Sequence, residues 1–220
     1  MTEITVTDTT RSDHNGEVVG KAVGHLTLAY SYGDGRETSC AYTADAVSGL
    51  LGGLKMDAYM AADTDVITRL NDAVGGVTVT VPTPGMEVRD PAFIAGQKVH
   101  LQGEQAEAFV RYRDITLDNS ALFRMSQQQE YIAGFFRSVK ETSSQDSRIV
   151  EKLFEMIQDN MVTDMSKDQY LKIAVDAMGG ELTSDDFRMV PGQGFATDTY
   201  DEFYANTEAL IPVILELFYR

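Results

Sequence analysis

The stretch AFVRYRDITLDNSALFRMSQQQEYIAGFFR, residues 108–137, gathers side chains suited to holding an anion. Arginine offers paired N–H donors in a planar fork and stays charged while doing so. Arg111 and Arg113 lie two apart, so in an extended or turn segment both would face one side. Arg124 and Gln128 are spaced i, i+4, which puts them on one face of a helix, where they can act as a unit. Asp118 sits between the two pairs. It can hold an arginine in position or help a metal; equally, Asp118-Asn119-Ser120 reads as the opening of the helix. Such a cationic cluster in a chain otherwise sparse in basic residues points to a small, multiply charged anion rather than a long polyanion. The competing arrangement pairs these arginines with Asp114, Asp118, Glu107 and Glu130 on the surface, and it leaves no anion site.

The elements that must position these residues belong to a chain of 220 residues, enough for one domain over 1–220 with a sizeable core. Hydrophobic residues make up 43%, ordinary for a globular protein and too many for a disordered one. The formal net charge of −16 repels DNA, RNA and anionic lipid surfaces, so a nucleic-acid partner is excluded. Cys40 is the only cysteine and cannot form an internal disulfide. No apolar run approaches the ~20 residues of a membrane span, and MTEITVTDTT lacks the apolar centre of a signal peptide. His14, His25 and His100 are scattered without metal-ligand spacing. No Gly-x-Ser-x-Gly, phosphate-binding loop or Cys–His pairing is present, so no catalytic residue is identified.

Helix and strand signals alternate, which predicts an α/β layering of helices on a mixed sheet. Strands are predicted at 2–8, 57–62 and 186–190, and most clearly in GGVTVTVP (75–82), where Val and Thr alternate between glycines and Pro82. Residues 14–20 read as a turn and 83–100 as a long loop. Helices are predicted at 41–53, 64–73, 103–111, 119–140, 146–159, 166–178 and 206–219. In the 119–140 helix, Leu122, Met125, Ile132, Phe136 and Val139 form one stripe; Arg124, Gln128, Tyr131 and Phe135 form its neighbour. Gln127 and Gln129 read as a polar helix face.

LNDAVGGVTVTVP (70–82), LQGEQAEAFVRYRD (101–114) and RMSQQQEY (124–131), in this order, resemble the LytR-CpsA-Psr family. VPGQGF (190–195) and the terminal YDEFYANTEALIPVILELFYR resemble a clostridial-type version of the same domain's end. The resemblance runs over nearly the whole chain. Arg111 and Arg113 match the family's R-x-R, Asp118 its following acid, Arg124 its next arginine and Gln128 its glutamine. Gln127 stands where the family usually has another arginine, which removes one positive charge. AYSYGDG (29–35) matches the family's Ala-Tyr-x-x-Gly-Gly segment, with His25 in place of a frequent lysine.

The resemblance implies a mixed α/β domain that holds a polyprenyl-linked pyrophosphate in an apolar tunnel, for which Phe109, Phe123, Phe135 and Phe136 are candidate lining. It implies an extracytoplasmic, membrane-anchored phosphotransferase of Gram-positive walls, using Mg2+. Such an enzyme moves a glycopolymer, teichoic acid or capsule, from polyprenyl pyrophosphate to peptidoglycan. The pyrophosphate-binding set it implies is Arg111, Arg113, Arg124 and Gln128, supported by Asp118. Met1-Thr2-Glu3-Ile4 resembles the residues that follow an Arg-Asp-Thr segment in the family, which supplies an acid for magnesium or base chemistry. Early strands of the sheet and that acid are therefore expected to be missing, with turnover impaired. A non-enzymatic extracellular module that binds a lipid phosphate or wall polymer is the alternative. An unpaired sheet edge is expected near 2–8 or 76–81, and with it a homodimer or a partly open domain.

Overall fold

The computed structural model describes residues 3–12, 17–117, 120–196 and 201–219. In chain order run β1 (Glu3–Ser12), β2 (Val18–His25), the single turn α1 (Leu26–Ala29), α2 (Glu37–Leu50), β3 (Met60–Ala62), α3 (Val66–Ala73), β4 (Val77–Thr80) and β5 (Lys98–Leu101). Then follow α4 (Glu104–Arg111), α5 (Ser120–Ser143), α6 (Ile149–Ile157), β6 (Met161–Thr163), α7 (Lys167–Met178), β7 (Gly192–Ala196), β8 (Asp201–Ala205) and α8 (Thr207–Phe218). The fold is mixed α/β, as the alternation of helix and strand signals predicts. One sheet has the order β2-β1-β8-β7 and is itself mixed, because β1 runs parallel to β8 while the other pairs are antiparallel. Two further pairs, β3-β6 and β4-β5, stand apart from it.

The chain divides into two compact units. One comprises Met1–Ala61, Val162–Met165 and Arg188–Arg220; the other comprises Ala62–Met161 and Ser166–Phe187. In the first, Ala29 and Ala46 form a small buried centre with Leu26 and Leu50 against it. The GDG turn there opens α2. The Asp34 carboxylate accepts from the Arg36 N–H at 2.7 Å and the Thr38 hydroxyl at 2.9 Å.

The second unit carries the arginine stretch and a larger core. Val77, Val79 and Val81 of the β4 segment are buried with Met86, Phe93, Leu101, Phe109 and Leu153. Alternation in VTVTV sends every valine inward, which is why this segment is so legible in the sequence. β5 pairs with β4 in register Val77↔Leu101 through Thr80↔Lys98. Its first three residues fall in the predicted 83–100 loop, because KVHL carries two charged or polar residues in four and acquires strand geometry from its nonlocal partner. The predicted strand at 186–190 is absent. Ser184–Asp186 instead form a short 3-10 turn, with Thr183 and Asp186 in a reciprocal capping box. The strand begins at Gly192, beyond Pro191.

α5 lies along β4. Ser138 donates to the Gly76 carbonyl at 3.1 Å, and the Thr80 N–H donates to Glu130 at 2.8 Å. A Cβ built on Gly134 would stand 2.8 Å from the Thr78 carbonyl oxygen, so the helix approaches this closely only because residue 134 has no side chain. The buried face is therefore Gln127, Tyr131, Ala133, Gly134 and Val139, while Leu122 and Ile132 of the predicted stripe are exposed. Of that stripe Val139 is buried, while the closest approach to β4 falls at Gly134, which has no side chain to carry an apolar signal.

Neither named sheet edge is open. β1 is flanked by β2 and β8, and the side of β4 away from β5 is covered by α5. The stated reason for self-association is thus absent at both places. Gly134→Ala is expected to lower stability by about 1–3 kcal/mol through overpacking against β4. The urea midpoint measures this; an unchanged midpoint would mean that α5 does not rest on the strand as described.

Candidate anion site

α4 starts after Gly103 and buries Ala106 and Phe109. Phe109 is fully buried and meets Phe93 edge-on, with ring centroids 5.5 Å apart, so it is core rather than tunnel lining. The helix ends at Arg111, since Tyr112 turns to extended geometry (φ −57°, ψ 133°) after its N–H bonds the Ala108 carbonyl at 3.1 Å. Arg111 thus belongs to the last helical turn, where positions i and i+2 do not share a face. The expected convergence of Arg111 with Arg113 rested on an extended RYR segment. The structure instead turns Arg111 back to Glu107, with Nη1–Oε1 at 2.6 Å and 61% of its side chain exposed. For this arginine the surface pairing holds.

Arg113 and Arg124 behave differently. Arg113 is half-buried, and its Nε donates to the Ser120 hydroxyl at 2.9 Å; Ser120, the first residue of α5, is only 3% exposed. Arg124 lies one turn further along α5 and is also half-buried. Burial lowers its pKa below the ordinary arginine value, and the Arg113 charge beside it lowers it further. The guanidinium stays protonated all the same. Among the described residues Arg124 makes no ion pair or hydrogen bond. Two neighbouring cations, one half-buried and without a counter-charge among the described residues, create a local demand for an anion.

Gln128 follows Arg124 by one helical turn and is half-buried. Asp118 lies outside the described residues. Asp114 is committed to its own turn. Its carboxylate accepts from the Thr116 hydroxyl at 2.6 Å and from the Thr116 N–H at 2.9 Å, which holds its pKa down. Among the described residues no three His, Cys, Asp or Glu side chains gather as a metal site. A polar cavity of about 410 Å³ opens beside Gly75, Gly76 and His100, and none of the arginines lines it.

Gln127 carries more than its sequence context suggests. It is 2% exposed, not part of a polar helix face. With its amide nitrogen turned toward the turn, it donates to the Tyr112 carbonyl at 2.9 Å and the Phe109 carbonyl at 3.2 Å. That orientation is fixed by the network, since the opposite one sets the amide oxygen against those two carbonyls. The Tyr112 hydroxyl in turn donates to the Gly85 carbonyl at 3.0 Å. The sign in the sequence was that Gln127 stands where the family usually has another arginine.

Residues 7–214 match the LytR_cpsA_psr family, so the chain belongs to that family. A curated relative, the polyisoprenyl-teichoic acid–peptidoglycan teichoic acid transferase TagU of Enterococcus faecalis, is 28% identical over 181 residues, covering 79% of this chain. The chain spans about half of that relative's length (53%). Among solved structures, protein gbs0355 from Streptococcus agalactiae aligns with a TM-score of 0.70 at 19% identity, over 96% of this chain and 71% of that one. TagT bound to LI-WTA aligns with a TM-score of 0.66 at 17% identity, over 97% and 76%. These likenesses establish the fold. Among the described residues no helix is long and apolar enough to cross a membrane.

Arg124→Met is expected to raise stability by up to about 1 kcal/mol in a chloride buffer, since it removes a desolvated charge that repels its neighbour. Equilibrium urea unfolding reads the effect. A loss of stability would show that the guanidinium is already paired in the folded chain.

Proposed function

We propose that this chain is the pyrophosphate-holding part of a cell-wall glycopolymer transferase. Arg113 and Arg124 grip the pyrophosphate of a polyprenyl-linked glycopolymer while that polymer is moved to peptidoglycan. The observation that carries the reading is the half-buried Arg124 beside Arg113, with no counter-charge among the described residues. Family membership supports it, as do the activity named for TagU and the ligand named for TagT.

A pyrophosphate brings two or more negative charges to two preplaced guanidinium forks, and the low local dielectric that makes the empty pair costly makes the filled pair strong. When an acceptor hydroxyl attacks the glycopolymer phosphate, charge develops on the departing prenyl phosphate. The same forks stabilise that charge without reorganising. Gln128, one turn along the helix from Arg124, adds a neutral donor to the rim. Arg111 acts at the margin, since binding must draw it from Glu107. Asp118 is assigned to orienting an arginine. The resemblance implies magnesium; the described residues form no cluster that would hold it, and no step here runs through a metal. The polyprenyl donor and the wall acceptor meet outside the cytoplasmic membrane, and the site is placed there.

Arg113→Ala and Arg124→Ala should each weaken binding of a prenyl pyrophosphate by about 1.5–3 kcal/mol, the range for hydrogen bonds to charged groups. Lysine at either position should restore only part, because a point charge does not reproduce the fork. Arg111→Ala should cost less than about 1 kcal/mol, as befits an exposed, already paired side chain. Calorimetric titration measures all three. Equal affinities for the parent and the Arg113 and Arg124 variants would remove the pyrophosphate site.

A further inference from the structure

We propose that Gln127 is a positioning residue for this site: its buried amide clamps the Arg111–Arg113 turn onto α5 and so holds Arg113 beside Arg124. The proposal rests on the pyrophosphate reading for its consequence, but the clamp itself stands on geometry. Three segments meet at this one side chain. From α5, Gln127 reaches the carbonyls of Phe109 and Tyr112, which are the end of α4 and the middle of the RYR turn. Its oxygen then faces the hydroxyl of Thr83 at 3.5 Å, in the segment after β4, and Thr83 is itself buried. The same oxygen lies 3.4 Å from the Met86 sulfur, which has no proton to donate, so the two N–H bonds to Phe109 and Tyr112 carry the clamp.

The last carbonyls of a helix have no intrahelical donor and must be satisfied from outside. Here the outside donor comes from the helix that also carries Arg124. The distance between Arg113 and Arg124 is therefore set by a rigid link from α4 to α5, reinforced by the Arg113 Nε bond to Ser120 and the Tyr112 bond to Gly85. Without it, mutual repulsion would drive the two guanidinium groups apart in the unliganded chain. A neutral amide makes this link without adding a third positive charge beneath the pair.

Two measurements on the chain test this. Gln127→Met keeps size and shape while deleting both donors. Hydrogen exchange at the Tyr112 N–H, which bonds Ala108, reports the turn; the Val81 N–H, bonded to Gln97 at 2.9 Å, reports the unit's general stability. We expect Tyr112 to exchange about tenfold faster beyond any change shared by Val81, and inorganic pyrophosphate to bind about tenfold more weakly, as befits one hydrogen-bonding group. Thr83→Val, which leaves Gln127 in place but removes the hydroxyl facing its amide oxygen, should act in the same direction and less, and it serves if the methionine variant fails to fold. Tyr112 exchange that keeps step with Val81 in either folded variant overturns the clamp. Faster exchange with unchanged pyrophosphate affinity overturns the positioning role. Failure of the parent chain to bind pyrophosphate overturns the functional reading instead, and the exchange result still judges the clamp.

Discussion

Like charges at close range repel, and a protein that withdraws one of them from water makes that repulsion harder to screen. Arg113 and Arg124 stand in this relation, and much of the second unit is arranged to keep them there. Ser120 holds one guanidinium, the fixed end of α4 aims the turn, and α5 supplies the other arginine. The valine face of β4 and the apolar residues of α4, α5 and α6 packed around it form the core on which this turn rests.

The same logic explains why α5 must lie flat on β4. A helix held away from the strand by a side chain at residue 134 would carry Arg124 and Gln127 with it, and the turn after α4 would lose its donor. Gly134 permits the approach; Ser138 and Glu130 fix its register by bonding Gly76 and Thr80 on either side of the contact. Local packing and the proposed anion site are thus coupled through one helix, which is a stronger arrangement than a site built on loops alone.

Some of this was legible in the residues. Alternating valines gave β4, helical spacing gave α3, α4, α5 and α7, and the quoted motifs gave the family. Arg111, Arg113, Arg124 and Gln128 were marked by type and spacing as one anion-holding set, paired as Arg111 with Arg113 and Arg124 with Gln128. What the residues hid was nonlocal. KVHL became a strand only by pairing with β4, and Arg111 left the cluster because the helix ended one residue later than an extended RYR requires. Gln127 was passed over as helix surface. A buried amide whose partners lie in α4 and in the segment after β4 has no local signature, and its neighbours in sequence, Gln128 and Gln129, are not buried. The sheet edges were misjudged for a related reason: β8, which closes β1, comes almost two hundred residues after it along the chain.

If Arg113 and Arg124 form one anion site, they must respond to one ligand together. Arginine-selective 15N NMR during titration with pyrophosphate tests it most directly. The Nε–H resonances of Arg113 and Arg124 are expected to move together and saturate at one equivalent, with Arg69 and Arg148, which are engaged elsewhere, unmoved. Independent or non-saturating shifts spread over the surface arginines would contradict it.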